Sequence, residues 1–469
     1  MSEASISKRS PLSQKTYFLK FLFLLGAIGW GIMLIFILIH KLVIENIPEI
    51  PLQVATTLFT GKFVFGDFLE TMAFCFMENP YLDVPCGRTI YFPISYLIIY
   101  PFALLGKDAA MAYLANPELL ATPERLPGLL PAYLLYAFVC IALILLVSAY
   151  LSHLKGWDLF YLMGGILLHG SISFALGRGN TIFVTFLGVL LFFGLYHHKK
   201  WWLRELGYVC FALAISIKVY PVLLAMVFFR ERRYFPLLRT AIYTLVFLFA
   251  PFFFVPGGLS NVGRLLQNMS AFSVDSDRFL VFTNISWAGL LGKVQFVLDF
   301  LPYLASPEAL MGHVLEMIQQ NAFLFTIGKS TLVISQVLGL ACCVLTLVFS
   351  FFQPKKGSAF PYMTLLIMNF FAFPSVHFCY VHLLFVLLTI VYLHEMENMN
   401  LRQKVIYGMC LLFAAFPFQY FYQIPLLSSF AQGILLVFSI IDLVHLYLRK
   451  TPACKEAVSS PETSTERSV

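Results

Sequence analysis

Charge is what this sequence has least of: 12% of its 469 residues are charged, against 60% that are apolar. The mean hydropathy is +0.83. A soluble domain needs far more polar surface than this, so lipid must be the solvent for most of the chain. The apolar runs are long and continuous. They lack the period-two alternation of a membrane barrel, which excludes that class and leaves a helical, multi-pass protein. No internal repeat is visible, which weakens a transporter reading built on inverted repeats. No cysteine pair has CxxC spacing among the nine cysteines, so neither a zinc site nor a disulfide framework is indicated. Cys140, Cys210, Cys342, Cys343, Cys379 and Cys410 fall inside apolar segments. Cys75 and Cys86 share one polar loop and would pair only if it were oxidised.

The charge that is present is distributed by rule. The net value of +7 comes from short basic clusters between apolar runs, not from a nucleic-acid-binding patch. These clusters are the N-terminus, "HHKKWWLR" (197–204), "RERR" (230–233), "QPKK" (353–356), "LRQK" (401–404) and "RK" (449–450). All are expected on the cytosolic side. Spans are expected at about 18–43, 127–151, 159–177, 180–197, 237–256, 329–352, 358–374, 381–395, 404–419 and 426–448. The first run is longer than a signal-peptide core of roughly 7–15 residues and lacks a small-residue cleavage site, so it reads as a retained span. Residues 1–17 read as a cytosolic tail and 449–469 as a disordered, Ser/Thr/Glu-rich one. The core between them is 18–448.

Two segments resist a simple crossing. "YFPISYLIIYPFALL" (91–105) is short and carries Pro93 and Pro101, and parity favours a non-crossing, interfacial or re-entrant path. Residues 202–229 have basic ends on both sides, so they should leave and return as two half-helices with a tip at "SIKVYP" (216–221). With these choices the loop 44–126, the "GRGN" turn, the "SIKVYP" tip and the "FPSVHFCYVH" turn (373–382) meet on the non-cytosolic side.

Several residues there can do chemistry. Asp67 precedes an amphipathic stretch with Phe68, Met72, Phe76 and Met77, which suits a helix on the membrane surface. It reads either as a helix cap or as a general base for a substrate hydroxyl. Glu70, Glu78 and Asp83 are neighbouring acids. Lys218 sits in an apolar segment, where a lysine costs roughly 2.5–3.5 kcal/mol on insertion scales. Arg178 poses the same question, and two converging cations suit a headgroup or phosphate. His377 and His382 flank "FCYV" and read as structural or as phosphate-orienting. "DSD" (275–277) is a weak metal motif and reads as a loop. Asn268-Met-Ser270 and Asn284-Ile-Ser286 are glycosylation sequons.

The run 177–229 resembles the middle of the GT-C membrane glycosyltransferases, and most closely glycosyltransferase family 87, the polyprenyl-phosphate-mannose-dependent mannosyltransferase-like group (domain of unknown function 2029). A G-x-x-N turn, a basic loop and a K-[LIV]-Y-P tip are matched by Gly177, Asn180, Lys218, Tyr220 and Pro221. Asp67, Pro80-Tyr81, Tyr91-Phe92-Pro93 and Pro101 to Leu105 resemble the family's first loop, with Ile94 where it has a second proline. "NISWAGLL" (284–291) and "FPSVHFCYVH" resemble two later motifs, the second with its histidine displaced. The glycosylphosphatidylinositol mannosyltransferases are similar over 177–221, but their first-loop D-x-D is absent here.

The resemblance implies an all-α GT-C-like fold of about 11–13 spans with a large first non-cytosolic loop carrying interfacial helices. It implies transfer of a hexose, mannose by the family's habit, from a polyprenyl-phosphate donor to a lipid or glycan acceptor. The anomeric carbon would be inverted, with Asp67 as base. Arg178, Asn180, Lys218, Tyr220, His377 and His382 are the candidates for holding phosphate and substrate. No cofactor is called for, and dependence on a divalent metal stays open. A lipid-linked sugar transporter or flippase and an inactive assembly partner are the competing readings. The absence of an endoplasmic retrieval signal favours a bacterial cytoplasmic membrane; in a eukaryote the endoplasmic reticulum is expected.

Overall fold

The computed structural model describes residues 11–42, 65–82, 89–121, 126–275, 284–306, 308–309, 312, 329–352, 359–372, 379–421 and 425–448. Among the described residues every regular element is helical and there is no strand. Six helices are long and apolar enough to cross a membrane, or up to eight if two bent pairs each count as one span. Several of the remaining expected spans are built from shorter apolar helices, such as Ile182–Leu195 and Ala359–Ala372.

The first helix, α1 (Pro11–Leu42), begins well before residue 18. Pro11 suits a first helical turn, whose N–H groups have no partner within the helix. Lys15, which would burden an apolar span, is neutralised at 2.7 Å by Glu397. Two short helices, α2 (Gly66–Phe74) and α3 (Pro93–Ala103), follow. The next helix, α4 (Lys107–Ala115), turns back from α3 by 119°.

The scaffold of the site comes next. The 24-residue helix α5 (Leu129–Ser152) is about 36 Å long, enough for a hydrocarbon core of about 30 Å. Its outer face is bare of protein; Phe138 is 72% exposed, as a lipid-facing residue should be. Helices α6 (Gly156–Leu167) and α7 (Gly170–Arg178) form one run bent by 46°. Helix α8 (Ile182–Leu195) and helix α9 (Trp201–Ile217) are joined by a five-residue link and pack as a hairpin. Gly188 makes their close approach possible, since a Cβ there would lie 2.6 Å from the Cys210 carbonyl oxygen. The short link forces the two helices antiparallel. Residue 180 before α8 and residue 218 after α9 therefore end up at the same end.

Beyond the tip a 3-10 segment, Tyr220–Ala225, runs into α10 (Met226–Arg230), and α11 (Tyr234–Phe249) packs back on α9. The expected pair of half-helices is thus unequal: a full α-helix enters and a tighter, mostly 3-10 segment leaves. Helices α12 (Asn261–Asp275), α13 (Trp287–Phe300), α14 (Lys329–Phe352), α15 (Ala359–Met368), α16 (Leu384–Glu395), α17 (Leu401–Ala415) and α18 (Leu426–Leu448) complete the bundle. Of these, α15 is the most enclosed; nine of its ten residues, Phe360 to Met368, are buried.

Candidate functional site

Asp67 is the second residue of α2 and does not cap it. Phe65 is the N-cap, in the left-handed region at φ 58°, and no side chain caps the helix. Phe68, Leu69, Met72 and Ala73, the side of the helix that reads as apolar in sequence, are fully buried in protein. Its apolar face is satisfied by aromatic packing: Phe68 stacks on Tyr136 at 5.2 Å and Phe65 meets Tyr133 at 4.1 Å.

That packing brings Asp67 to the end of α7. Arg178 Nη2 donates to Asp67 Oδ1 at 2.6 Å, and Asn180 Nδ2 donates to Oδ2 at 2.6 Å. The partners are 111 and 113 residues away in sequence. Both side chains of the ion pair are largely enclosed, Arg178 at 26% and Asp67 at 13% exposure. Charge-assisted bonds of this kind are roughly twice as strong as neutral ones. A carboxylate has about four lone-pair positions, so two donors leave it able to accept another proton.

The turn that carries Arg178 and Asn180 is itself locked. The Phe65 N–H donates to the Gly177 carbonyl at 2.8 Å. The Tyr136 hydroxyl donates to the Asn180 carbonyl at 3.0 Å, and the Tyr133 hydroxyl donates to that of Leu176. Asn180 Oδ1 accepts from the Ile182 N–H at 2.9 Å, so one side chain starts α8 and holds Asp67. Gly179 lies at φ +69°, in the region that favours glycine.

Lys218 terminates α9. Its Nζ donates to the Tyr91 hydroxyl at 3.2 Å and stands 4.4 Å from the centre of that ring. It also feels the charge of Asp67. Tyr91 interacts with Asp67, Glu70, Arg178 and the Asn180 side chain, which makes it the link between the two cations. Tyr220 lies near Tyr91. Its buried hydroxyl finds no hydrogen-bond partner among the described residues, and its ring packs edge-on against Phe370 at 5.6 Å. Asp67, Arg178, Asn180, Lys218 and Tyr220 thus converge, at the end of the bundle opposite the clusters 197–204, 230–233 and 401–404.

Glu70 completes the cluster, one helical turn from Asp67. Burial pushes its carboxyl up to about 7, and the neighbouring Asp67 charge adds to the rise while Arg178 opposes it. The site therefore holds two carboxyls in unlike surroundings. Sequence reasoning ranked Glu70 below Asp67 and passed over Tyr91 as a site residue. The three-residue spacing from Asp67 was the available signal for Glu70.

The histidines part company with this cluster. His377 lies outside the described residues, as do Asp83, Cys86 and Asp277. His382 is fully buried, stacked on Phe385 at 5.0 Å, with Nε2 3.4 Å from Gln432 Oε1. It belongs to a second polar group in which Lys293, fully buried in α13, donates to the Asn284 carbonyl at 2.9 Å and to Ser429 Oγ at 2.7 Å. The insertion-cost argument that singled out Lys218 applies equally to Lys293, which was missed. Both sequon asparagines are interior: Asn268 Nδ2 donates to the Thr89 carbonyl and Asn284 Oδ1 accepts from the Ser286 N–H. Neither side chain is available to a glycan in the folded protein. Among the described residues no three His, Cys, Asp or Glu side chains gather as a metal site.

Comparison of the chain with family models, with curated proteins and with solved structures finds no match.

Proposed function

We propose that this protein is an integral-membrane glycosyltransferase of the GT-C type, with about 11–13 spans. It takes a hexose, mannose in the first instance, from a polyprenyl-phosphate donor at the end of the bundle opposite the basic clusters. The observation that carries the reading is Asp67, a carboxylate clamped at both oxygens by Arg178 and Asn180 and set within electrostatic reach of Lys218.

In the proposed reaction the acceptor hydroxyl oxygen attacks the anomeric carbon. Asp67 takes the hydroxyl proton, and the bond from that carbon to the lipid phosphate oxygen breaks on the opposite side. The phosphate leaves with the electron pair, and the anomeric configuration inverts. Charge develops on the leaving phosphate, so a preorganised cation there lowers the barrier. Lys218 takes this role. Arg178 acts first as the partner that orients Asp67. The Tyr220 hydroxyl, buried beside Tyr91, is a donor for a substrate oxygen.

A cavity of about 210 Å³ at the same end supports a lipid-linked donor. Its walls are largely apolar, with Tyr96, Leu97 and Tyr100 of α3 facing Phe254. Leu97 and Phe254 are also exposed on the outer surface, so an isoprenoid chain in the bilayer can reach it.

Purified protein in nanodiscs, given radiolabelled polyprenyl-phosphate sugars and membrane lipids, tests the reading. Transfer of label to a lipid or glycan is expected, with mannose the preferred sugar. Movement of intact donor across a vesicle membrane without transfer would favour the flippase instead.

A further inference from the structure

A cavity separate from the Asp67 site lies at the opposite, basic end. It has a volume of about 690 Å³, in the range of ligand pockets. Its polar lining includes Arg230, Arg233, His197 and His394 against a single carboxylate, Glu231. Glu395 is close enough to Arg230 to act on its charge but does not line the cavity. The remaining wall is apolar, with Leu151, Phe193, Met363 and Leu387 prominent.

The polar side is built with care. The Arg230 guanidinium lies 4.2 Å from the centre of the Tyr362 ring, and the Tyr362 hydroxyl donates to the Met226 carbonyl at 3.2 Å. Arg233 donates to the Tyr196 carbonyl at 3.0 Å and to the Tyr208 hydroxyl at 2.7 Å. Glu231 Oε1 accepts from the Tyr196 hydroxyl at 3.0 Å and pairs with His197 at 3.0 Å. The arginines are thus held in place before anything binds, which reduces the ordering cost of an anion.

The depth of the cavity is marked independently. Trp201, Trp202, Tyr234 and Phe235, which follow the basic cluster at 197–200 and the one at 230–233, are all more than half exposed. Tryptophan and tyrosine gather at the level of lipid headgroups. The charged rim, with His197 and His394 exposed, therefore sits at headgroup level, and the apolar wall reaches toward the hydrocarbon. A soluble anion would satisfy only the rim. An amphiphile satisfies both halves.

We infer that this cavity is a binding site for an anionic phospholipid, whose phosphate lies against Arg230 and Arg233 and whose upper acyl chain lies along the wall at Met363 and Leu387. The site is independent of the glycosyltransferase reading, because it shares no residue with the Asp67 cluster.

Native mass spectrometry of the full chain released from nanodiscs of equal phosphatidylglycerol and phosphatidylcholine tests this. Phosphatidylglycerol should be retained in several-fold excess at about one per chain. Arg230→Gln should bring that excess down to near parity, as expected for losing one charge-assisted bond. Met363→Trp, which fills the cavity without touching its charges, should abolish it, while Arg264→Gln on α12 should leave it unchanged. Equal retention of the two lipids would overturn the inference. So would an excess unaffected by both cavity variants. Displacement of the bound lipid by millimolar glycerol 3-phosphate would also overturn it, by showing a site for a soluble phosphate ester.

Discussion

Gly179 faces Phe68 so closely that a Cβ on the glycine would lie 2.7 Å from the Phe68 Cβ. The turn bearing Arg178 and Asn180 is thereby pressed onto the helix bearing Asp67. Gly179→Ala meets two obstacles: a left-handed φ of +69°, costing roughly 1–2 kcal/mol for an L-residue, and this overlap. The variant should lose several degrees in melting temperature and most activity together. Gly263→Ala, where a Cβ meets open space, should change neither.

Breaking the Arg178–Asp67 pair from one side leaves a charge without its partner. Arg178→Gln should cost about 1–3 kcal/mol, less than for a fully buried pair because both groups keep some contact with solvent. Adding Asp67→Asn should restore part of that loss. A double-mutant cycle on melting temperature measures the coupling, and additive losses would show that the two side chains do not depend on one another.

Glu70 makes stability depend on pH in a defined sense. Its carboxyl titrates near 7 in the folded protein against an ordinary value of 4.5. The folded state therefore holds the proton more tightly than the unfolded chain. That contribution is fully present below about pH 4.5 and is lost as pH rises through 7. Thermal unfolding of the wild type between pH 5 and 8 should show a falling melting temperature, and Glu70→Gln should flatten that slope.

Lys218→Gln should reduce kcat/KM for a lipid-phosphate donor about a hundredfold, the usual effect of removing one donor from a developing oxyanion. The fold should survive, because Lys218 ends α9 and its ammonium meets the Tyr91 ring and hydroxyl at the edge of the site. A steady-state transfer assay beside a melting curve separates the two effects.

Much of this site was legible in the sequence for one physical reason. A charge in an apolar run is expensive, so Arg178 and Lys218 stand out, and basic loops fix which ends of the helices face together. The tip at Lys218 follows from Pro221 and from the basic residues on either side of the segment. What the sequence does not display is pairing across more than 100 residues. Asp67 beside one helix reads equally as a cap or a base, and only the packing of Phe68 on Tyr136 turns it toward Arg178. Tyr91 looked like part of a proline-rich opening because its contacts come from α9 and the 178–180 turn. The same non-locality hid the interior placement of His382, Asn268 and Asn284, each of which reads as a surface or span-end residue from its neighbours in sequence.

The central claim is that Asp67 takes the acceptor's proton. Initial rates of sugar transfer in nanodiscs, comparing wild type, Asp67→Asn and Glu70→Gln at saturating donor, test it most directly. The account predicts a loss of about 10²–10⁴ in kcat for Asp67→Asn with donor binding retained, and a smaller change for Glu70→Gln. Equal kcat in wild type and Asp67→Asn would contradict it.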